Sequence, residues 1–297
     1  MKNLREHLID PHSPDRKPRR AAYALPTLFT AGNIFLGFYA LMESFHGAMQ
    51  TATTLSSAQQ HFAAAAIAIG IAVLLDGLDG LIARMTNTTS DFGREMDSLA
   101  DVITFGIAPA VLAFAWGIEF TNSPPGQFGA EEIRRAGYFF SFLYLLCGAM
   151  RLARFNVQTN PVPKNPGRPG GKYFVGMPIP SAAGTIAAVV FASGSIPLRS
   201  WVFSAAWLAL LSLLAFLMVS TWRYPSPKGW NLLRPQSPVT FIFLGSLIYL
   251  IWTVPQPVLL SMAVTYVSSG IVIRLGGIVR RFWKHPQSSG RPEQQLG

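Results

Sequence analysis

Apolar residues along this chain gather into long runs instead of alternating with polar residues. Each run is about 20 residues long, the length that a helix needs to cross a hydrocarbon layer about 30 Å thick. The pattern therefore predicts an all-α integral membrane protein, a polytopic bundle of about eight transmembrane helices. The predicted spans are residues 23–45, 62–86, 95–118, 136–157, 180–198, 201–221, 238–254 and 256–276.

These spans divide the chain into four parts. Residues 1–22 are predicted to be a flexible, basic cytoplasmic tail, and residues 23–225 the membrane core. Residues 226–276 add C-terminal transmembrane helices, and residues 277–297 form a second basic tail that we expect to be disordered. A cleaved signal peptide does not fit, because the first apolar run is long enough to span and leads into further spans. The fifth and sixth spans have the weakest boundary, a turn that contains Pro197.

The distribution of cations predicts the orientation. The chain has 24 Lys and Arg residues and a formal net charge of +10. If the N-terminus is cytoplasmic, all of these cations except Arg134, Arg135 and Arg199 fall on the cytoplasmic side, as the positive-inside rule requires. We therefore expect a multi-pass protein of the cell inner membrane with both termini cytoplasmic. The positive charge is explained by cations that flank the membrane spans and contact anionic lipid headgroups, so no nucleic-acid partner is expected.

Carboxylates are concentrated in the second and third spans and in the link between them. Asp76 and Asp79 are three residues apart, and Asp97 and Asp101 are four apart, so each pair shares a helix face. A charge within a membrane costs a few kcal/mol, which makes these residues functional candidates, although pairing with nearby arginines between helices is an alternative. The short link makes the two helices antiparallel neighbours. The four aspartates can therefore converge, and hard oxygen ligands favour Mg²⁺ or Mn²⁺.

The predicted metal centre lies near the cytoplasmic interface. At 1.5 Å per residue, Asp76 is about 15 Å from the end of its span and Asp101 about 9 Å from the start of its own. Phospholipid phosphates lie near that depth, whereas the ion site of a transporter is expected near the midplane.

Arg84 could hold a pyrophosphate or serve as an interfacial anchor. Glycines such as Gly80 and Gly93 allow either a ligand or a neighbouring helix to approach closely.

The residues of the second and third spans resemble the signature of the CDP-alcohol phosphatidyltransferase family. The matching positions are Asp76, Asp79, Gly80, Ala83, Arg84, Gly93, Asp97 and Asp101. Four further segments are similar to the phosphatidylserine synthase branch of that family: residues 26–33, 105–109, 151–156 and 174–178. The resemblance covers about residues 25–225.

The resemblance implies transfer of the phosphatidyl group from CDP-diacylglycerol to the hydroxyl of L-serine, with release of CMP, by a homodimer. It implies two divalent ions held by the four aspartates, with Asp97 and Asp101 catalytic and Asp101 the general base. The residues implied to bind CDP-diacylglycerol are Asn33, Gly80, Ala83, Arg84 and Gly93. In the predicted layout all five histidines lie in tails or outer loops, so a carboxylate is left as the base.

The acceptor site is predicted from the inner end of the fourth span. Arg151 and Arg154 share a helix face, and Asn156 follows closely. The arginines can bind the serine carboxylate, but they fit equally well as anchors whose charged ends reach the interface. An acceptor phosphate would use the same arginines. Glycerol 3-phosphate, inositol phosphate and choline therefore remain alternative acceptors, and a cation transporter remains an alternative function.

Overall fold

The computed structural model describes residues 20–86, 91–122, 129–159, 173–225 and 238–284, and every structural statement below concerns these residues. Their secondary structure is mainly helical, as predicted. The first helices are α1 (Arg20–Thr51), α2 (Leu55–Thr86), α3 (Asp91–Asp101), a π-helical segment (Val102–Ile107), α4 (Ala108–Gly117) and α5 (Ala130–Thr159). They are followed by β1 (Tyr173–Val175), α6 (Ile179–Ala192), α7 (Trp201–Val219), β2 (Arg223–Pro225), α8 (Pro238–Thr253) and α9 (Pro255–Lys284).

Each predicted span coincides with a helical stretch, but two of these stretches are short. Within the described residues, six helical stretches are long and apolar enough to cross a membrane. They are Leu28–Thr51, Leu55–Leu78, Phe92–Gly117, Ala130–Val157, Trp201–Val219 and Pro255–Gly276. The chain is therefore a multi-pass membrane protein by the length and composition of its helices. The apolar parts of α6 and α8, Ile179–Ala192 and Phe241–Thr253, are shorter.

The predicted fifth span, residues 180–198, ends too late. Helix α6 has 14 residues, which at 1.5 Å per residue gives about 21 Å, less than the hydrocarbon thickness. It stops because Gly194 and Ser195 take positive φ angles of 67° and 58°, a conformation that no α-helix continues through. The apolar residues after this turn extended the sequence signal beyond the helix.

Several helices continue past the apolar runs that predicted them. Polar residues can extend a helix beyond the hydrocarbon layer at little cost. As a result, His46 and His61, which we expected in an outer loop, lie on helices α1 and α2. Likewise α9 runs to Lys284, so residues 277–284 are helical and not part of a disordered tail. The predicted tail segments 1–19 and 285–297 lie outside the described residues.

The π-helical segment lies at the centre of the bundle, where it contacts α1, α2, α5 and α6. Two hydrogen bonds hold it there. Thr104 Oγ1 donates to the Asn33 carbonyl oxygen at 2.9 Å, and the buried Tyr144 hydroxyl donates to the Phe105 carbonyl oxygen at 3.0 Å. Gly37 makes the first contact possible, because a Cβ there would lie 2.7 Å from Thr104 Cα. Helices α1 and α5 therefore fix the segment that follows Asp101.

A small antiparallel ribbon connects the C-terminal helix to the core, an element that the sequence analysis did not predict. Strands β1 and β2 pair with Phe174 opposite Tyr224. The Tyr224 ring is fully buried and lies against Gly270 of α9, where any side chain would collide with it. Because α9 also packs against α6, this helix belongs to the same packed body as the membrane core.

Candidate active site

Three aspartate side chains from α2 and α3 meet at one place. One carboxylate oxygen from each of Asp76, Asp97 and Asp101 lies within 4.8 Å of the other two. Asp76 and Asp97 are half-buried, and Asp101 is 9% exposed. Three carboxylates at this distance repel one another, so the ionised cluster is stable only when cations offset the repulsion.

The cluster fits a magnesium-sized ion. With bonds of about 2.1 Å, neighbouring oxygens around Mg²⁺ are about 2.9 Å apart and opposite ones about 4.2 Å. The three aspartate oxygens are at most 4.8 Å apart, which exceeds the longer of these distances by no more than about 0.6 Å, so small side-chain rotations bring them into range of one ion. All three ligands are carboxylate oxygens, the type that Mg²⁺ and Mn²⁺ prefer. These residues are a possible metal-binding group.

Asp101 occupies a fixed backbone position. It is the last residue of α3 and directly precedes the π-helical segment. π-Helical turns are rare and are found frequently at functional sites, because they redirect the side chains on either side. The hydrogen bonds of Thr104 and Phe105 to α1 and α5 restrain this turn. The backbone that follows Asp101 is therefore fixed by contacts three and four residues further along the chain, and the Asp101 carboxylate lies near Asp76 of α2.

Arg151 lies beside the aspartates. Its guanidinium is within electrostatic range of the Asp101 carboxylate and of Tyr266. In the described part of the chain, the buried Nε–H of Arg151 has no hydrogen-bond acceptor. A buried donor without a partner costs about 1–3 kcal/mol, so this position suits a ligand that supplies an acceptor.

Arg154 and Asn156 make contacts within the protein. The Arg154 guanidinium donates to the Val219 carbonyl oxygen at 3.2 Å, where its charge complements the carboxyl end of α7. Asn156 Nδ2 donates to Ser98 Oγ at 2.9 Å, which ties α5 to α3 next to Asp97. Of the three predicted acceptor residues, Arg151 is the one with a buried donor that has no acceptor among the described residues, and the other two brace neighbouring helices.

The remaining predicted residues are described only in part. The side chains of Asp79, Ala83 and Arg84 lie outside the described structure, as does the environment of Gly80, although the α2 backbone passes through all four positions. Gly93 is exposed in the first turn of α3. Asn33 is 3% exposed, and its buried Oδ1 has no hydrogen-bond donor among the described residues. Asn33 thus presents an unused acceptor beside the π-helical segment.

Tyr266 of α9 is a neighbour of Arg151 that the sequence analysis missed. Its hydroxyl lies within interaction range of Ser181 of α6 and of Arg151. Its ring centroid is 5.5 Å from that of Tyr224. Tyr266 is one of several hydroxyl-bearing residues in its span, and nothing in the sequence relates residue 266 to residue 151.

The sequence is similar to one protein family and to several relatives of known name. Residues 23–215 match the family model described as CDP-alcohol phosphatidyltransferase. The CDP-diacylglycerol–serine O-phosphatidyltransferase of Helicobacter pylori is 37% identical over 219 residues, which cover 72% of this chain and 78% of that protein. The archaetidylserine synthase of Methanothermobacter thermautotrophicus is 34% identical over 208 residues, which cover 69% of this chain and 71% of that protein.

A shorter relative aligns over almost its whole length. The CDP-diacylglycerol–serine O-phosphatidyltransferase of Bacillus subtilis is 29% identical over 205 residues, which are 69% of this chain and 91% of that protein. The family match includes the three clustered aspartates and Arg151, whereas Tyr266 lies beyond its end.

Proposed function

Because this chain belongs to the CDP-alcohol phosphatidyltransferase family, we propose that it transfers the phosphatidyl group of CDP-diacylglycerol to the hydroxyl of L-serine. The products are phosphatidylserine and CMP. The observation that carries the proposal is the convergence of Asp76, Asp97 and Asp101 at positions that match the family signature. Relatives named for serine transfer across bacteria and archaea support serine as the acceptor.

The reaction is a displacement at the phosphorus that carries diacylglycerol. The serine oxygen forms a bond to this phosphorus, the bond to the CMP oxygen breaks, and CMP leaves with the electron pair. Two Mg²⁺ or Mn²⁺ ions, when bound, would neutralise the pyrophosphate and the developing charge on the attacking and leaving oxygens. Asp76, Asp79, Asp97 and Asp101 would hold these ions. Asp101, the most buried of the clustered carboxylates, would accept the serine proton as the new bond forms.

The donor site is proposed along α1, α2 and α3. Gly80, Ala83 and Arg84 would lie along the cytidine diphosphate, with Gly93 exposed at the start of α3. Asn33 supports this location through its unused buried acceptor. The name archaetidylserine synthase, borne by one relative, indicates that donors with archaeal-type lipid tails occur near this branch, so the lipid part of the donor is left open.

For the acceptor, we propose that Arg151 binds the serine carboxylate. Its buried Nε–H lacks an acceptor in the part of the chain that the structure describes, and its neighbour Asp101 is the proposed base, so a bound carboxylate would place the serine hydroxyl near that base. Tyr266 supplies a hydroxyl oxygen beside the same guanidinium, with Ser181 near Tyr266, and these hydroxyl oxygens would accept from the serine ammonium. Arg154 and Asn156 would shape this pocket through their contacts with α7 and α3.

Location and assembly follow from the sequence pattern. We propose a cell inner-membrane enzyme with both termini and the active site on the cytoplasmic side, since cations dominate that side. Residues 23–225 would form the catalytic core, to which α9 adds Tyr266. The homodimer that the resemblance implies stays a prediction.

Release of CMP by the purified protein tests the proposal. CDP-diacylglycerol is supplied with L-serine, glycerol 3-phosphate, inositol phosphate or choline, and CMP should form with serine. Asp97→Asn should abolish the release, because an amide lacks the charge that bound divalent ions need. Glu95→Gln is the matched control, since this neighbouring carboxylate is exposed on the same helix and should be dispensable.

Other outcomes separate the alternatives. Preference for another alcohol would overturn the serine assignment and leave the chemistry intact. Full activity in excess EDTA would contradict the metal-dependent mechanism. No CMP release with any acceptor, together with metal-ion flux in vesicles that Asp97→Asn abolishes, would favour a cation transporter.

A further inference from the structure

A second group of metal-ligating side chains lies where α1 turns into α2. One ligand atom from each of Glu43, His46 and His61 lies within 4.8 Å of the other two. His61 Nδ1 is 2.6 Å from Glu43 Oε2, and the rings of His46 and His61 have centroids 5.6 Å apart. None of these residues belongs to the active site described above.

The helical hairpin explains why the three residues meet. Glu43 and His46 are three residues apart on α1 and therefore share a face. Next to them, Gly47 lets α1 approach α2, because a Cβ at Gly47 would lie 2.9 Å from the Phe62 ring. This contact brings His61 opposite the pair. A Glu-x-x-His pair facing ligands on a neighbouring helix is the arrangement that helical bundles use to hold metal ions.

We propose that Glu43, His46 and His61 bind one Zn²⁺ ion. Two imidazole nitrogens and one carboxylate oxygen are ligands that Zn²⁺ accepts, with water completing a tetrahedral site. Hard ions such as Mg²⁺ prefer all-oxygen sites, so this set is selective against the ions proposed for the aspartates.

The distances are compatible with such a site. Ligand atoms about 2.0–2.1 Å from Zn²⁺ are about 3.3 Å apart when tetrahedral. The three ligand atoms are at most 4.8 Å apart, so the wider separations must close by no more than roughly 1.5 Å. His61 Nδ1 and Glu43 Oε2, which are 2.6 Å apart, would have to separate by about 0.7 Å if both bind the ion. His46 is exposed, so its side chain is free to make this movement, whereas Glu43 and His61 are half-buried and already adjacent.

The Zn²⁺ site is remote from the aspartate cluster. His61 and Asp76 are both on α2, and 15 residues of helix at 1.5 Å each separate them by about 22 Å. Zn²⁺ would thus join α1 to α2 at one end of the hairpin without contacting the residues at the other. We expect bound Zn²⁺ to raise the thermal unfolding temperature, because it binds the folded hairpin and not the separated helices.

The test uses full-length protein purified through a tag without histidine, stripped with a chelator and desalted. Zn²⁺ affinity is measured by competition with a chromogenic chelator, and Co²⁺ serves as a spectroscopic probe. The wild type should bind one Zn²⁺ tightly and give the intense visible bands of tetrahedral Co²⁺. His46→Ala should weaken Zn²⁺ binding on the order of a hundredfold or more, since changes that merely affect supporting residues cost about 10–100-fold. His285→Ala, outside the described residues, is the matched control.

Further variants keep the proposal open to refutation. His46→Cys should restore Zn²⁺ binding and add a sulfur-to-cobalt charge-transfer band, which a merely structural histidine would not produce. Asp97→Asn should leave the site unchanged. Zn²⁺ binding that survives both His46→Ala and His61→Ala, loss of binding in Asp97→Asn, or octahedral Co²⁺ in the wild type would each overturn the proposal.

Discussion

Replacing Gly37 with alanine tests whether the packing of α1 against the π-helical segment positions the active site. The new Cβ would lie 2.6 Å from Thr104 Oγ1 and 2.7 Å from Thr104 Cα. Ordinary contacts between carbon atoms are about 3.5–4.0 Å long, so the backbones must separate by roughly 1 Å. A rotating side chain cannot relieve a clash with a Cα atom. The displacement would move the backbone three residues from Asp101.

The expected magnitudes differ for stability and for activity. Overpacking costs about 1–3 kcal/mol, and alanine regains about 1 kcal/mol of helix propensity, so the net loss of stability is about 2 kcal/mol or less. A misplacement of about 1 Å at a reacting group can lower the rate about 100-fold. Gly37→Ala should therefore remain folded but release CMP about 100 times more slowly.

The matched control is Gly70→Ala on α2, where a Cβ would meet nothing within 4 Å. This variant should keep wild-type kcat and gain slightly in thermal stability. The measurements are kcat for CMP release at saturating substrates and unfolding temperature in detergent. A wild-type kcat in Gly37→Ala would refute the idea that this contact positions Asp101. An equal loss of kcat in Gly37→Ala and Gly70→Ala would indicate that helix flexibility is responsible instead.

Three further predictions concern single side chains. Arg151→Gln should raise the serine KM by about 10-fold to 100-fold, which is equivalent to the loss of about 1.5–3 kcal/mol from a charge-assisted hydrogen bond. Arg154→Gln should mainly lower the unfolding temperature. The reverse pattern would mean that the two arginines have exchanged roles. Tyr144→Phe should destabilise the protein by about 1–3 kcal/mol, because the buried Phe105 carbonyl loses its donor, and an unchanged unfolding temperature would contradict this. Burial raises the pKa of Tyr224 from 10.0 to about 12, so the contribution of this residue to stability is complete below pH 10 and is lost as the pH rises towards 12. Tyr224→Phe should reduce this loss of stability at alkaline pH. An unaltered pH profile of stability would contradict the prediction.

The spacing of polar residues on continuous helices could be interpreted without a structure. Asp97 and Asp101 share a face because the helical period is fixed, and the short link to Asp76 restricts where the second helix lies. The lengths of the apolar runs predicted the location of every helical stretch, because a membrane-spanning helix forms all its backbone hydrogen bonds within itself and needs no neighbouring segment to form them. Local rules therefore determined the helices, the convergence of Asp76, Asp97 and Asp101, and the class of metal ligand.

Contacts between residues far apart in the chain were decided only by the tertiary structure. Tyr266 reaches Arg151 because the ribbon of β1 and β2 and the buried Tyr224 hold α9 against α6. His61 meets Glu43 because Gly47 permits close approach of two helices, of which the apolar runs had predicted the first to end too early and the second to begin too late. The length of an apolar run indicates how far the chain lies in the hydrocarbon layer of the membrane. A helix, in contrast, ends where the backbone conformation changes, as at Gly194 and Ser195. Side-chain packing, which no local period encodes, selects the neighbours of each helix.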